Sequence, residues 1–469
     1  MRNIMGRKPR VAFLVFAPLR QRRKDNSFDG NDNIGAAVVA DILKRAGYEC
    51  GYTSAEGAHL YDIVLVSLTS TYDVFAFYQS VALLKTWQRG KRTFKVLAGG
   101  FGMQNPTAVR EFIDWSAFGR VDDWLIDIFD ALARGDDPSH ESLMDMRVMG
   151  PVKIAQADQL YPHQVGEWKE TFTGCPLKCK FCHYTYARKH QGGNDAYNTR
   201  TYVQTSLTGG GTPEVTWDQL LTWPKKAGRI RVAIDGSSYR LRRVYGKNIT
   251  NDDLLRGIEQ VGSFEGITTL LVYNIGNFPT ETDADRAELE QVLSSAQPKH
   301  RVIVVLHTTP FRPSLATPMQ WESVDITHDW SKKREQVVVE RSNLRVVHSY
   351  TLESAYSQFI SVFAERAVPD DDWLFHEIAF SSRFNGLNAT EKMDALRTVY
   401  DIGSVISERD IDGPPPAPFL RGYMPDETLR KIAHKMRRQA RGDHEMPERR
   451  VSWMMRKMPT DPIESAATP

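Results

Sequence analysis

Three of the four cysteines in this 469-residue chain fall within eight residues, at Cys175, Cys179 and Cys182. A disulfide framework scatters its cysteines along the chain, so this one folds on a hydrophobic core, with one tight loop reserved for thiol chemistry. The length suggests two or three domains. With 41% hydrophobic and 25% charged residues, the composition is that of an ordinary soluble globular protein. Net charge is only +2, so affinity for a polyanion has to come from local clustering. No apolar run approaches the roughly 18 residues that span a bilayer. Val11 to Leu19 follows a basic start, as in a signal peptide, but Arg20, Arg22, Arg23 and Lys24 come next with no small-residue cleavage pattern. The expectation is a buried first strand at Val11–Phe16 and a cytoplasmic protein with no membrane partner. Cys50, between Tyr48 and Tyr52, reads as a buried small apolar residue.

Residues 1–150 alternate strand and helix patterns. Strands are expected at Val11–Phe16, Ile63–Leu68 and Phe94–Ala98, with helices at Ile34–Ala46, Val74–Trp87 and Val121–Ala133. Strands separated by helix-length segments pair in parallel, which gives a doubly wound, Rossmann-like α/β domain. Ligands of such sheets sit at the carboxyl ends of the strands. Residues 151–330 continue as βα units, with strands at Ile230–Ile234, Thr269–Ile275 and Val302–Leu306 and helices at Asn251–Val261 and Asp283–Ala296. That is a barrel-like pattern. Residues 331–469 turn mostly helical, as in Leu352–Glu365 and Thr390–Ile406, with a stiff proline-rich segment at 413–418.

The cysteine loop is C-x3-C-x2-C, with Phe181 just before the third cysteine. Three thiolates on one loop can hold three irons of a 4Fe–4S cube and leave the fourth open to a chelating ligand. The competing reading is a structural zinc site with His183 or His190 as fourth ligand. Zinc sites normally draw paired arms from two segments, and no second arm is visible.

Cys175–Cys182 resembles the C-x3-C-x-φ-C signature of the radical S-adenosylmethionine (SAM) superfamily, with Phe181 in the φ position. The resemblance implies a partial (β/α) barrel, a 4Fe–4S cluster on the three cysteines and SAM on the open iron. It also implies reductive cleavage of SAM to a 5′-deoxyadenosyl radical, and an external electron donor such as flavodoxin or ferredoxin. Phe181 would lie against the adenine, or serve as plain core. Gly209, Gly210 and Gly211 with Glu214 resemble a displaced Gly-Gly-Glu motif that holds the SAM amino group, against a plain flexible loop. Asn274, Gly276 and the following Pro279, Glu281 and Thr282 resemble the Gly-x-Pro-x-Glu-Thr turn that begins a barrel helix. An acid in a helix's first turn favours the dipole, so Glu281 is expected to be structural. Asp235 ends a strand facing the site. It is expected either to hold SAM ribose or substrate, or to cap a turn.

The front domain resembles the cobalamin-binding-type domain that precedes the barrel in one radical SAM branch. Ser67, Thr69, Gly99 and Gly100 lie at the strand ends where the cofactor's tail and corrin edge would sit. The Asp-x-His-x-x-Gly motif that supplies a lower histidine is absent, and only His59 and His140 occur there. Cobalamin without a histidine ligand and a domain that has lost the cofactor both stay open. Cys50 is the one cysteine left over, which excludes methylthiotransferases and enzymes with auxiliary clusters.

Two segments are basic. One runs from Lys225 to Lys247. The other, Arg430 to Lys457, carries ten Lys/Arg against three Asp/Glu and includes Trp453. Phosphate-neutralising side chains beside an aromatic suggest nucleic acid, whereas a solvated helical face is the plainer account. The single cluster and basic tail look like phage-type radical SAM proteins that isomerise substituents of hypermodified thymidine in DNA, which would place the protein in host cytoplasm. The alternative is a cobalamin-dependent radical SAM C-methyltransferase acting on a natural product or peptide.

Overall fold

The computed structural model describes residues 8–16, 33–156, 159–163, 165, 170, 172–175, 179–192, 204–206, 228–247, 249–263, 267–327, 333–351, 353–368 and 371–442. The expectations at Gly209–Gly211, Glu214, Lys225, Lys226 and Trp453 fall outside them.

β1 (Val11–Phe16), β2 (Cys50–Tyr52), β3 (Ile63–Leu68), β4 (Lys95–Gly99), β5 (Trp115–Ala117) and β6 (Leu143–Asp145) form one sheet in the order β2-β1-β3-β4-β5-β6. Five of them run parallel and only β6 is antiparallel. The order is doubly wound, with its reversal between β1 and β3, where such sheets open a ligand crevice at the strand ends. Valine and isoleucine runs such as Ile63–Val66 are buried on both faces, as central parallel strands require. Helices α1 (Ile34–Arg45), α2 (Thr71–Val81) and α3 (Trp124–Arg134) cover the sheet. Asn33 starts α1 by accepting the Ala36 N–H at 3.0 Å, and Ser70 with Asp73 closes a reciprocal cap on α2.

The second sheet contains β7 (Gln204–Ser206), β8 (Gly228–Ala233), β9 (Ile267–Gly276), β10 (Val302–Pro310), β11 (Gln336–Glu340) and β12 (Leu344–Tyr350), in the order β7-β8-β9-β10-β12-β11. β8, β9, β10 and β12 are parallel, with antiparallel β7 and β11 at the edges. Helices α4 (Tyr239–Tyr245), α5 (Asn251–Val261) and α6 (Asp283–Ser295) follow its strands. Leu254, Ile258, Leu289 and Leu293 pack on Leu270, Val272, Val304 and Leu306. These strand residues alternate with half-buried Leu271, Tyr273, Val305 and His307, so the sheet has a helix-covered face and an opposite one.

The expected boundary at residue 330 lies inside this sheet, which runs on to Tyr350. Charged and polar residues interleave with Val337–Val339 and Val346–Val347, and that mixture hides two strands from a helical reading. Only after Ser354 does the chain turn helical, as α7 (Ala355–Arg366), α8 (Asp372–Phe380), α9 (Ala389–Val399) and α10 (Asp426–Ala440). α7 and α8 do not stand apart. Phe363 and Phe375 join Phe75 and Tyr78 of α2 in one core, with Phe75 and Phe375 ring centroids 5.8 Å apart. No helix among the described residues is long and apolar enough to cross a membrane.

Candidate cluster and substrate site

The cysteine loop lies between short β-pairings and the end of α4. Phe172–Thr173 pairs antiparallel with Gln191–Gly192, bracketing the loop from both sides. Gly174 adopts φ +67°, and a Cβ there would sit 2.5 Å from the Lys189 carbonyl oxygen, so no larger residue fits the entrance. Cys182 begins the one-turn helix His183–Tyr186, and its N–H donates to the Cys179 carbonyl at 3.0 Å. The loop is fixed to α4 where the Lys180 N–H donates to the Tyr245 carbonyl at 2.8 Å and its ammonium to the Val244 carbonyl.

Burial pushes the Cys179 thiol up to about 12, with Lys247 pulling against it and Asp235, Cys182 and Cys175 adding to it. Cys182 is raised by burial and by Cys175, while the Tyr184 and Thr185 amides favour its thiolate. The three thiols are therefore within electrostatic reach of one another. No three His, Cys, Asp or Glu side chains among the described residues yet close round one metal-sized point. As a donor set, three thiols on one loop fit an iron–sulfur cluster with one iron left open. His183 and His190 are tied differently from metal ligands of a second arm. His183 Nδ1 bonds the Leu315 carbonyl at 2.9 Å and burial lowers its pKa to about 4, while His190 Nδ1 meets the Thr173 carbonyl at 3.2 Å. Cys50 is remote, on edge strand β2 against the front core, where burial pushes its thiol up to about 11.

Phe181 lies on an apolar cluster of Leu241, Tyr245, Phe278, Phe311 and Met436, its ring 5.9 Å from that of Phe278. It is half-buried, so one side is core and the other remains open.

Asp235 stands at the end of β8 with φ +46°, a left-handed backbone that is rare outside glycine. Its Oδ2 receives the Lys247 ammonium at 2.6 Å, and both side chains are largely buried. The Asn274 amide is engaged in bonds within the protein. It is 2% exposed, its Oδ1 accepts the Gly236 N–H at 2.8 Å, and its Nδ2 donates to Ser237 Oγ at 3.1 Å. Asn274 thus holds the Asp235–Ser238 turn in place. Glu281 lies just before α6 rather than in its first turn. Thr282 is the cap and Asp283 and Asp285 are the first-turn acids, while the Glu281 carboxylate accepts the Asn277 N–H across the turn. Ser237, Asn274, Gly276 and Glu281 line a cavity of about 260 Å³ together with His348 and Tyr350.

Sequence reasoning missed Lys247, Phe101 and a row on the sheet face away from the helices. Lys247 sat in a stretch read as surface charge. Tyr273, His307 and Ser349 stand in register on β9, β10 and β12, with the Tyr273 and His307 rings 5.7 Å apart and perpendicular. Burial lowers the His307 pKa, so the ring is neutral at neutral pH. Period-two alternation was the available signal.

The front strand ends engage each other closely. A Cβ at Gly100 would lie 2.3 Å from the Leu68 carbonyl oxygen, and Gly102 is equally tight against Ser70. Thr69 bonds Asp73 through both its N–H and its hydroxyl at 2.8 Å, and Ser67 Oγ accepts from Asn33 at 3.1 Å. Gly99 is in ordinary contact with Ala117. On the same loop Phe101 stacks on Tyr184 at 5.5 Å and meets His183 edge-on, joining the front sheet's carboxyl edge to the cysteine helix. Gln104 keeps both polar atoms of its buried amide without a hydrogen-bond partner, an orphan that an amide-bearing cofactor would satisfy. His59 and His140 are bonded locally, to the Glu56 carbonyl and the Ser142 N–H.

Among the described residues of the basic stretch before Lys247, two arginines are tied to the protein itself. Arg240 pairs with Asp285 at 2.6 Å, and Arg242, fully buried, donates to the Ile249 and Gly236 carbonyls at 2.8 and 3.1 Å. On α10, Arg437 bonds Glu322 at 2.7 Å and Glu408 at 3.0 Å.

No family model and no curated protein matches the chain. Among solved structures it is similar to a cobalamin-dependent S-adenosylmethionine radical enzyme, OxsB. With aqua-cobalamin bound, that structure gives 12% identity, TM-score 0.30, and coverage of 91% of this chain. The apo, selenomethionine-labelled form gives 11% identity, TM-score 0.26 and 92% coverage. The chain spans 56% of that protein's length.

Proposed function

We propose that this chain is a radical SAM enzyme whose radical abstracts hydrogen from a substrate carbon, and that it rearranges a substituent on a modified base in DNA, such as a hypermodified thymidine. The observation that carries the reading is the three-thiol loop fixed to α4, next to the β8 turn at the carboxyl edge of the parallel sheet. Cys175, Cys179 and Cys182 would hold a 4Fe–4S cluster, leaving one iron for SAM. Bound there, the cluster supplies the electron that splits SAM into methionine and a 5′-deoxyadenosyl radical. Phe181 offers its open side to a flat group. Tyr273, His307 and Ser349 would present hydroxyl and imidazole groups to a substrate on the sheet face opposite the helices, while Asn274 holds the Asp235–Ser238 turn at the strand ends.

Anaerobically reconstituted protein is expected to hold about four irons per chain and, when reduced, to release 5′-deoxyadenosine from SAM. Cys179→Ala should abolish both, and Cys50→Ala should leave both intact. Zinc-loaded protein without iron absorbance refutes the reading. Mass spectrometry of bulk DNA from cells with and without the protein tests the substrate.

A second reading, a cobalamin-dependent C-methyltransferase, is favoured by the β2-β1-β3-β4-β5 order, by Phe101 reaching the cysteine helix and by the orphaned Gln104 amide. Protein grown with ample cobalamin that is colourless after iron removal would reject it.

A further inference from the structure

α4 ends at Gly246, whose φ of +87° forms a left-handed cap, and the chain passes directly into Lys247. The Lys247 N–H donates to the Arg242 carbonyl at 2.7 Å, closing the helix end. The same turn accepts both donors of Lys180, the residue after Cys179. Lys247 and the cysteine loop are therefore parts of one bonded unit. The lysine is 7% exposed, and its ammonium is aimed by Asp235 at 2.6 Å. Asp235 keeps a left-handed backbone, φ +46°, held by the Asn274 bond to the next residue. Burying an ion pair is itself expensive, and a well-packed apolar pair would often be as stable. A buried Lys247–Asp235 pair, bonded through the end of α4 to the cysteine loop, therefore calls for an electrostatic role.

We infer that Lys247, positioned by Asp235, is a fixed positive charge at the cysteine loop that raises the reduction potential of the cluster its thiolates hold. The inference rests on the reading that Cys175, Cys179 and Cys182 bind an iron–sulfur cluster. Each electron added makes such a cluster more negative, and a cation in a poorly hydrated interior favours the added charge. Asp235 plays two opposed parts, aiming the ammonium and cancelling some of its field. The Asp235 carboxylate keeps the Lys247 ammonium charged against burial.

The test is an EPR-monitored potentiometric titration of reconstituted full-length protein, with iron content and chelator resistance measured in parallel. Lys247→Met should move the midpoint to more negative potential, and Asp235→Asn should move it the other way. Lys247→Arg, which keeps the charge, should restore a near-native midpoint. Opposite shifts cannot come from a residue that merely packs. Full iron content with coincident midpoints in all variants overturns the inference, as does equal loss of iron from Lys247→Arg and Lys247→Met. Wild-type protein that takes up no iron overturns the underlying cluster reading, and this inference with it.

Discussion

Gly100 shows how far a single residue could be read. Sequence placed it at a strand end where a ligand was expected, and it directly follows β4, with φ +105°. Its lack of a side chain is needed first by the protein itself, because the Leu68 carbonyl fills the space a Cβ would take. Gly100→Ala should destabilise the fold by roughly 1–3 kcal/mol from backbone strain alone, and more from the clash. The fall in melting temperature should be the same with or without cobalamin present. A stable Gly100→Ala protein would mean the loop yields and the glycine is kept for a ligand. The shared loop of the three thiols was legible from spacing, because Cys175, Cys179 and Cys182 lie within eight residues. Lys247 was not, because one more lysine in a run of lysines and arginines carries no sign of burial. The long-range pairs of Arg240 and Arg437 were hidden for the same reason.

Among elements, strands with continuous apolar runs were legible almost to the residue, and α5 was read at its observed bounds, Asn251–Val261. Short strands such as β2 and β5 were not, since three residues carry no period. The expected helix at 390–406 breaks at Tyr400, with Gly403–Ile406 forming a separate turn. α7 was read as a helix, but not as the one that ties the front sheet to the loops after β10. Its Glu365 is buried, and its Glu365 and Ala367 carbonyls accept both N–H groups of Asn105 at 3.0 and 2.9 Å. Burial raises the Glu365 pKa to about 7 from an ordinary 4.5, with Arg312 and Arg366 opposing. The folded state therefore holds this proton more tightly than the unfolded chain. Its stabilising effect is complete below about pH 4.5 and is lost as pH rises toward 7. Glu365→Gln should flatten that slope and stabilise the protein at pH 8 by up to on the order of 3 kcal/mol. Denaturant unfolding of both proteins at pH 5 and pH 8 checks this, and parallel pH profiles would show that Glu365 is not the titrating group.

At the scale of the whole molecule, a net charge of +2 leaves DNA affinity to whichever cations stay available once internal pairs are formed. On α10 these differ by position. Arg437 is committed: it bonds Glu322, whose side chain is 5% exposed, and also the Trp321 and Arg409 carbonyls at 3.1 and 3.2 Å. Arg438 lines a surface cavity of about 460 Å³ with Glu408, His434 and Arg441. Reversing the two charges should therefore have different consequences. Arg437→Glu sets a carboxylate against buried Glu322 and should cost about 3–5 kcal/mol of stability, which a melting curve will register. Arg438→Glu should leave the melting temperature near native and act on binding instead. If phosphates are held here, each contact releases a condensed counterion, so affinity falls steeply with salt and losing one contact lowers the slope by about one. Titrating labelled single- and double-stranded DNA across a salt series with native and Arg438→Glu protein measures that slope directly. Identical slopes would place the DNA contacts elsewhere on the chain. Native protein with no salt-sensitive affinity would make α10 a solvated face, and a small molecule or peptide the better substrate.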